Sequence, residues 1–232
     1  MIKYILISLT FIFLSSGAEA IDGAVLFDSL KHKVLSVNDY TTKVKMKINV
    51  HYMKIPQLNG TMYYKSPDML RLERHGGLSI LPKKNINLTL SNLIPTGQVT
   101  IIDLGYTTYK SSRVHVLKVV PEDDNSTIIL AKIWIDEDKL LAVRTETTTR
   151  NDGTVAMDLT YGKYQNLALP DSVVIYLNLK EYKMPEGVTM DYNKQSENVK
   201  IAEPKDTKGK IEIAYLDYQV NTGLSNSIFE RK

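Results

Sequence analysis

Histidines, cysteines and acidic residues are the side chains on which enzymatic or metal chemistry most often depends. The 232-residue chain has four histidines, His32, His51, His75 and His115, and no cysteine. No HxxH or HExxH spacing joins two histidines as metal ligands, and GxSxG, P-loop and GxGxxG motifs are absent. The sequence therefore predicts no catalytic, metal or cofactor site. We expect the four histidines to be ordinary polar residues, with His51 and His115 on strand faces.

Two acidic groups are the remaining candidates for polar chemistry. Asp123-Asp124 and Asp136-Glu137-Asp138 could form a calcium loop or an acid–base pair, or they could simply be turn residues. Each lies at a predicted hairpin, where aspartate is favoured because its side chain accepts hydrogen bonds from the turn backbone. We favour the turn interpretation for both groups, and we expect the protein not to be an enzyme.

The charge balance also limits the partners. The chain has 29 Lys and Arg residues against 26 Asp and Glu residues, a net charge of +3. A nucleic-acid-binding protein usually has a clustered basic face, whereas these charges are dispersed. We therefore expect no nucleic-acid partner.

The first twenty residues have the pattern of a secretory signal peptide. Lys3 gives a basic start, residues 5–14 are apolar, and Ala18-Glu19-Ala20 fits a small-residue cleavage site. We expect cleavage after Ala20, which would leave a soluble exported chain of residues 21–232 without disulfides.

Alternating apolar and polar residues are the main positive signal in the sequence. Residues 41–52 place Val44, Met46 and Ile48 on one side and lysines on the other, as a strand with one buried face requires. Further alternating rows occur near 155–161, 173–179 and 211–215. We predict strands near 42–52, 57–65, 68–74, 98–103, 106–110, 113–120, 127–135, 139–149, 153–161, 171–179 and 210–220.

The other elements are few. Residues 21–37 have apolar positions at helical spacing, and Asp22 is placed to cap a helix there. Residues 76–97 are irregular, with a short helix possible near 90–94, and residues 182–210 are predicted to form a loop or an insertion. Short turns between successive strands indicate a mainly β, antiparallel meander in a single domain.

One helix has too little surface to cover the apolar face of some ten strands. Barrel closure, a second sheet or an apolar ligand must cover the remainder, and a packed core without a cavity is the simplest alternative. The residues that share this apolar face, or the helix that would cover it, are Val44, Met46, Ile48, Val50, Met62, Tyr64, Leu70, Leu72, Val155, Met157, Leu159, Val173, Ile175, Leu177, Leu26, Phe27 and Leu30.

Four segments resemble the periplasmic outer-membrane lipoprotein carrier family, which we call LolA-like. They are GTMYYKSPDMLRLE (60–73), AKIWIDEDKLLAVRTETTTRNDGT (131–154), YGKYQNLALPDSVVI (161–175) and IEIAYLDYQVNTGLSNSIFE (211–230). The resemblance implies a strongly curved antiparallel half-barrel with a helical lid over an apolar cavity. We predict that the apolar residues named above line this cavity and bind lipid acyl chains. It extends over most of residues 21–232.

The same resemblance implies a function. It predicts a soluble, monomeric periplasmic carrier that binds the acyl chains of lipoproteins or phospholipids and moves them toward the outer membrane. An inner-membrane donor and an outer-membrane acceptor protein would be its partners. The alternative is an envelope-stress sensor or assembly factor that uses the same fold to bind a protein.

Overall fold

Antiparallel strands dominate the computed structural model, which describes residues 21–50, 53–54, 56–75, 94–95, 97–150, 153–178 and 208–230. The described residues include one α-helix, α1 (Gly23–Leu35). The strands are β1 (Asp39–Val50), β2 (Met53–Lys54), β3 (Leu58–Lys65), β4 (Met69–Arg74), β5 (Val99–Tyr109), β6 (Ser112–Pro121), β7 (Ile128–Asp136), β8 (Leu141–Thr149), β9 (Gly153–Thr160), β10 (Ser172–Asn178) and β11 (Lys208–Val220).

The strands form a single sheet in the order β4-β3-β1-β11-β10-β9-β8-β7-β6-β5, and two-residue β2 pairs with the end of β1. Strands β5 to β10 follow one another as a meander. The last strand, β11, lies between β10 and β1 and joins the meander to the amino-terminal strands. Every pairing is antiparallel, as the short predicted turns require.

The alternation in β1 divides the sheet into two faces. Val44 and Met46 are buried, whereas Lys43, Lys45 and Lys47 are exposed. We call the side that carries Val44 and Met46 the inner face, and the side that carries the three lysines the outer face. Buried apolar residues from α1 and from all ten long strands, or partly buried residues packed on them, belong to one cluster on the inner face.

The helix begins where its cap predicts. The Asp22 carboxylate accepts a hydrogen bond from the Ala24 N–H at 2.8 Å, and Ser36 follows the last helical residue. The helix is thus shorter than the predicted 21–37. Its buried side carries Leu26, Phe27 and Leu30, at the spacing of one helical face.

Hydrogen bonds hold the carboxyl-terminal segment against β1, β3 and β4, the strands on the side of the sheet opposite β5. The Asp39 carboxylate accepts hydrogen bonds from the backbone N–H groups of Thr222 and Gly223 at 2.9 and 3.0 Å. Lys65 Nζ donates to the Leu224 carbonyl at 2.7 Å, and Arg71 donates to the Ile228 carbonyl at 2.5 Å. The VNTGLSNSIF sequence therefore closes the end of the sheet beside β1, β3 and β4.

The prediction of two separate strands, 98–103 and 106–110, was wrong, because the structure has one strand there, β5. Its pairing with β6 shifts between Asp103 and Tyr106, where Gly105 has a φ of +71°. A bulge of this kind inserts extra backbone into a strand without ending it, and glycine adopts the positive φ without strain. The sequence Asp-Leu-Gly looks like a turn for the same reason.

Other predictions lie partly or wholly outside the described residues. These are the signal peptide, the helix near 90–94 and residues 182–207 of the predicted insertion. Lys208–Lys210 of that segment belong to β11.

Candidate functional site

The inner face presents a continuous apolar surface across the middle of the sheet. Cross-strand pairing aligns one residue from each of six neighbouring strands, and all six are at most 5% exposed. The row runs through Leu117, Ile133, Thr145, Met157, Ile175 and Ile211. Thr145 is its single polar member.

Helix α1 lies on this surface. Leu26, Phe27 and Leu30 are 0–2% exposed and belong to the inner-face cluster. A Cβ atom placed on Gly23 would lie 2.9 Å from Leu117 Cδ2, so the first turn lies directly against β6. Near the other end of the helix, Lys33 Nζ donates to the Lys139 carbonyl in the β7–β8 turn at 2.7 Å.

The structure brings most of the predicted lipid-binding residues together. Those described belong to the inner-face cluster or pack on it, and they come from α1 and from five strands, β1, β3, β4, β9 and β10. Fully buried are Leu26, Phe27, Leu30, Val44, Met46, Met62, Tyr64, Met157, Leu159, Val173 and Ile175. Partly buried are Ile48, Leu70, Leu72 and Val155. Val50 and Leu177 are strand residues whose side chains lie outside the described part of the structure.

A cleft of about 240 Å³ lies at the end of the sheet where the β5–β6 and β7–β8 hairpins turn. Tyr109, Lys110, Lys139 and Tyr161 are among the residues that line it. Of the predicted lipid-binding residues, Leu159 alone reaches this cleft. The other described members of that set belong to the same inner-face cluster as the buried side of α1, or pack on it.

His115 lies on a strand face as predicted, but its contacts show that it is not an ordinary polar residue there. It is 1% exposed and lies on the inner face of β6. Its Nε2 is 2.7 Å from Asp103 Oδ1 on β5, and its Nδ1 is 2.5 Å from Glu137 Oε1 in the β7–β8 turn. The Tyr106 ring packs on the imidazole, with the two ring centroids 4.5 Å apart. The guanidinium carbon of Arg113 lies over the Tyr106 ring, 3.7 Å from its centroid.

This arrangement indicates a charged histidine. Burial alone would lower the pKa of His115, but the hydrogen bonds to Asp103 and Glu137 outweigh burial and raise it above its ordinary value. Both ring nitrogens face carboxylates, and only an imidazolium donates from both. The alternation of β6 contained a signal for this burial, because His115 shares the parity of buried Leu117 and Val119.

A second polar cluster lies on the outer face around Asp158, which is 5% exposed. Its carboxylate pairs with Arg144 at 2.7 Å and Lys110 at 3.1 Å. The hydroxyls of Tyr109 and Tyr176 donate to it at 2.6 and 3.2 Å. These contacts join β5, β8, β9 and β10, so the cluster holds the tip of the β5–β6 hairpin against β8, β9 and β10.

Neither polar cluster has the ligand set of a metal centre. Within the described ranges, no three His, Asp or Glu side chains are grouped so that they could hold a metal ion. In the same part of the chain, no helix is long and apolar enough to span a membrane. The feature with the clearest binding chemistry is the inner face, which can exclude water from hydrocarbon.

Comparison with known proteins supports the fold assignment. No protein-family model and no curated protein matches the sequence. A DUF1329 family protein from Desulfovibrio piger superposes with a TM-score of 0.56 at 13% identity, over 90% of this chain and 97% of its own. A LolA superfamily protein from Nitrosomonas europaea gives 0.53 at 10% identity, over 91% and 99%.

A proposed outer membrane lipoprotein-sorting protein domain from Vibrio parahaemolyticus also matches, at 13% identity over 89% of this chain and 95% of its own. Its TM-score of 0.48 is too low to add to the comparison. The match to the LolA superfamily protein shows that this chain has a LolA-like fold.

Proposed function

We propose that this protein is a non-enzymatic periplasmic carrier that binds the acyl chains of lipids or lipoproteins on its inner face and moves them toward the outer membrane. The observation that supports this proposal is the apolar surface that crosses six strands under a single helix. Hydrocarbon placed there would gain about 0.8 kcal/mol for each CH₂ group removed from water. The LolA superfamily structure of similar fold is consistent with this use of the surface.

The proposal includes a curved sheet. Ten strands about 4.8 Å apart would form a flat sheet about 43 Å wide. A helix of thirteen residues is only about 20 Å long. Because α1 and all ten long strands contribute to one cluster, we propose that the sheet curls around the helix as a half-barrel.

The lid must move for a ligand to enter. The predicted lipid-binding residues that the structure describes on the strands belong to the same cluster as the buried side of α1 or pack on it, and Phe27 and Leu30 are at most 1% exposed. An acyl chain would therefore replace α1 on the inner face. Met46, Met62 and Met157 suit such an exchange, because methionine side chains adapt to differently shaped partners.

The remaining parts of the proposal concern the setting. The carrier would act as a soluble monomer, without a cofactor and without nucleic acid. It would receive lipid from an inner-membrane donor protein and pass it to an outer-membrane acceptor protein. When the lid is closed it shields the apolar surface from water between these steps, which prevents aggregation.

Native mass spectrometry of protein purified without detergent tests the proposal. We expect adducts with the masses of phospholipid or acylated peptide, and we expect the protein to bind a fluorescent fatty acid. The variant Ile102→Glu, which changes an exposed outer-face residue, should behave the same way. Protein that is repeatedly empty and does not bind the fatty acid would contradict the proposal.

A second function, binding of a protein partner by a stress sensor or assembly factor, has one observation in its favour. Strand β5 is the last strand of the described sheet, and it exposes Ile102 and Leu104 by 43% and 48%. An extended peptide can add to such an edge. A protein that co-purifies with the wild type but not with Ile102→Glu, in the absence of lipid adducts, would favour this function.

A further inference from the structure

Thr145 has a polar group that the inner face does not satisfy. Its side chain is 0% exposed, and its Oγ1 has no hydrogen-bond partner among the described residues. Buried hydroxyls are almost always hydrogen-bonded, because burying one without a partner costs free energy. A valine would fill nearly the same volume without this cost, so the hydroxyl needs an explanation.

The surroundings of Thr145 limit which group could be its partner. Its cross-strand neighbours on the inner face are Ile133 on β7 and Met157 on β9, both 0% exposed. Thr147 and Thr149 follow on the same face of β8, but both have interactions of their own. The unsatisfied hydroxyl is therefore the one polar group in the cross-strand row from Leu117 to Ile211.

The chemistry of the site indicates an uncharged acceptor attached to hydrocarbon. A charged headgroup could not lose its water between Ile133 and Met157 without a counter-charge. A plain alkyl chain offers no acceptor. The carbonyl of an acyl ester or amide fits, because it accepts a hydrogen bond and has a hydrocarbon chain on one side.

We propose that Thr145 is a specificity-determining residue whose hydroxyl donates a hydrogen bond to the carbonyl of an acyl ester or amide bound on the inner face. This inference rests on the proposed carrier function. The acyl chain would lie along the row that includes Met157 and Ile175. The rest of the ligand would lie toward the edge of the lid.

The test compares a diacyl phosphatidylglycerol with its diether analogue of the same chain length, which lacks the carbonyls. Each lipid displaces a bound fluorescent fatty acid, and the ratio of the two displacement constants is measured for each variant. Because one hydrogen bond is lost, we expect the wild type to prefer the ester about two- to tenfold. Thr145→Val should bring the ratio close to one.

Two further variants make the result specific. Thr145→Ser keeps the hydroxyl and should keep the ester preference. Thr154→Val changes an exposed threonine on β9 and should also keep it. All three variants should retain the wild-type thermal midpoint or, for Thr145→Val, exceed it.

The outcomes separate the inference from the carrier function. Equal binding of ester and ether by the wild type, or an ester preference that persists in Thr145→Val, would overturn the role of Thr145 and leave the carrier function standing. Failure of both lipids and of the fatty acid to bind the wild type would overturn the carrier function and, with it, this inference.

Discussion

Two consecutive cross-strand pairs between β8 and β9 show how differently the faces of this sheet are built. Arg144 pairs with Asp158 on the outer face, and the next pair, Thr145 with Met157, lies on the inner face. The outer pair is an ion pair at 2.7 Å within a cluster of hydrogen bonds. The inner pair makes apolar contacts and leaves the Thr145 hydroxyl without a partner.

The polar contacts of the outer face hold the strands in place, whereas the apolar contacts of the inner face can be exchanged for contacts with a ligand. Ion pairs and hydrogen bonds depend on direction, so the contacts of Asp158 fix the positions of four strands relative to one another. Apolar contacts depend mainly on the area removed from water. A ligand can therefore replace α1 on the inner face while the outer face keeps the sheet in place.

The largest expected effect comes from the inner face. Met157→Ala should lower the free energy of unfolding by about 3 kcal/mol, because it removes a fully buried side chain and leaves a cavity. Urea unfolding at pH 7 measures the loss. Ile102→Ala, on the exposed edge strand, should change stability by less than about 0.5 kcal/mol. A loss of less than about 1 kcal/mol for Met157→Ala would contradict tight packing under the lid.

The contribution of the outer face to stability should depend on pH, and removing it should cost less free energy of unfolding than Met157→Ala does. Burial alone would raise the pKa of Asp158, but hydrogen bonds from Tyr109, Lys110 and Arg144 outweigh burial and lower it. The ionised carboxylate therefore stabilises the fold above its unfolded pKa of about 3.9, and this contribution disappears as the pH falls through the folded value.

Asp158→Asn should accordingly lower the free energy of unfolding by about 2 kcal/mol at pH 7, because charge-assisted hydrogen bonds are lost. The difference from the wild type should shrink below about pH 4. Lipid binding should be unchanged, since the residue faces away from the lid. A variant that keeps its fold but loses lipid binding would show that the two faces are not separable.

His115 is the charged exception on the inner face, and its effect should have the opposite pH dependence. Because its pKa is raised in the folded protein, the charged ring stabilises the fold fully below the unfolded value of about 6.5 and loses this contribution as the pH rises through the folded value. His115→Gln should cost about 1 kcal/mol at pH 6. Thermal unfolding at several pH values should show the cost falling toward alkaline pH; a cost that grows there would contradict a charged ring.

Local rules predicted much of the fold. The alternation of β1, the Asp22 cap and the short turns located the helix and most strands to within a few residues. Each of these signals depends on residues near one another in the sequence. The short turns indicated the antiparallel meander, and the resemblance identified the LolA-like fold, which the LolA superfamily structure supports.

The polar clusters could not be predicted in the same way. The contacts of His115 require a bulge that aligns Asp103 and a turn that brings Glu137 back to β6, and both depend on pairing between distant strands. The unsatisfied hydroxyl of Thr145 could not be predicted for a similar reason. A threonine in a strand is common, and only the complete sheet shows that its hydroxyl lies in an apolar row.

The central claim is that α1 covers the inner face and must leave it for lipid to bind. A cysteine pair can test this, because the chain has no cysteine of its own. A Cβ atom on Gly23 would lie 3.4 Å from Asp103 Cβ, close to the separation of about 3.5–4.5 Å in a disulfide. Gly23→Cys with Asp103→Cys would therefore tie the lid to β5.

The measurement is the affinity of this double variant for a fluorescent fatty acid before and after reduction. The comparison uses one protein, so any effect of losing Asp103 is present in both states. We predict that the oxidised protein binds at least tenfold more weakly and that reduction restores binding. Equal affinity in the two states, with the disulfide verified by mass spectrometry, would contradict the account.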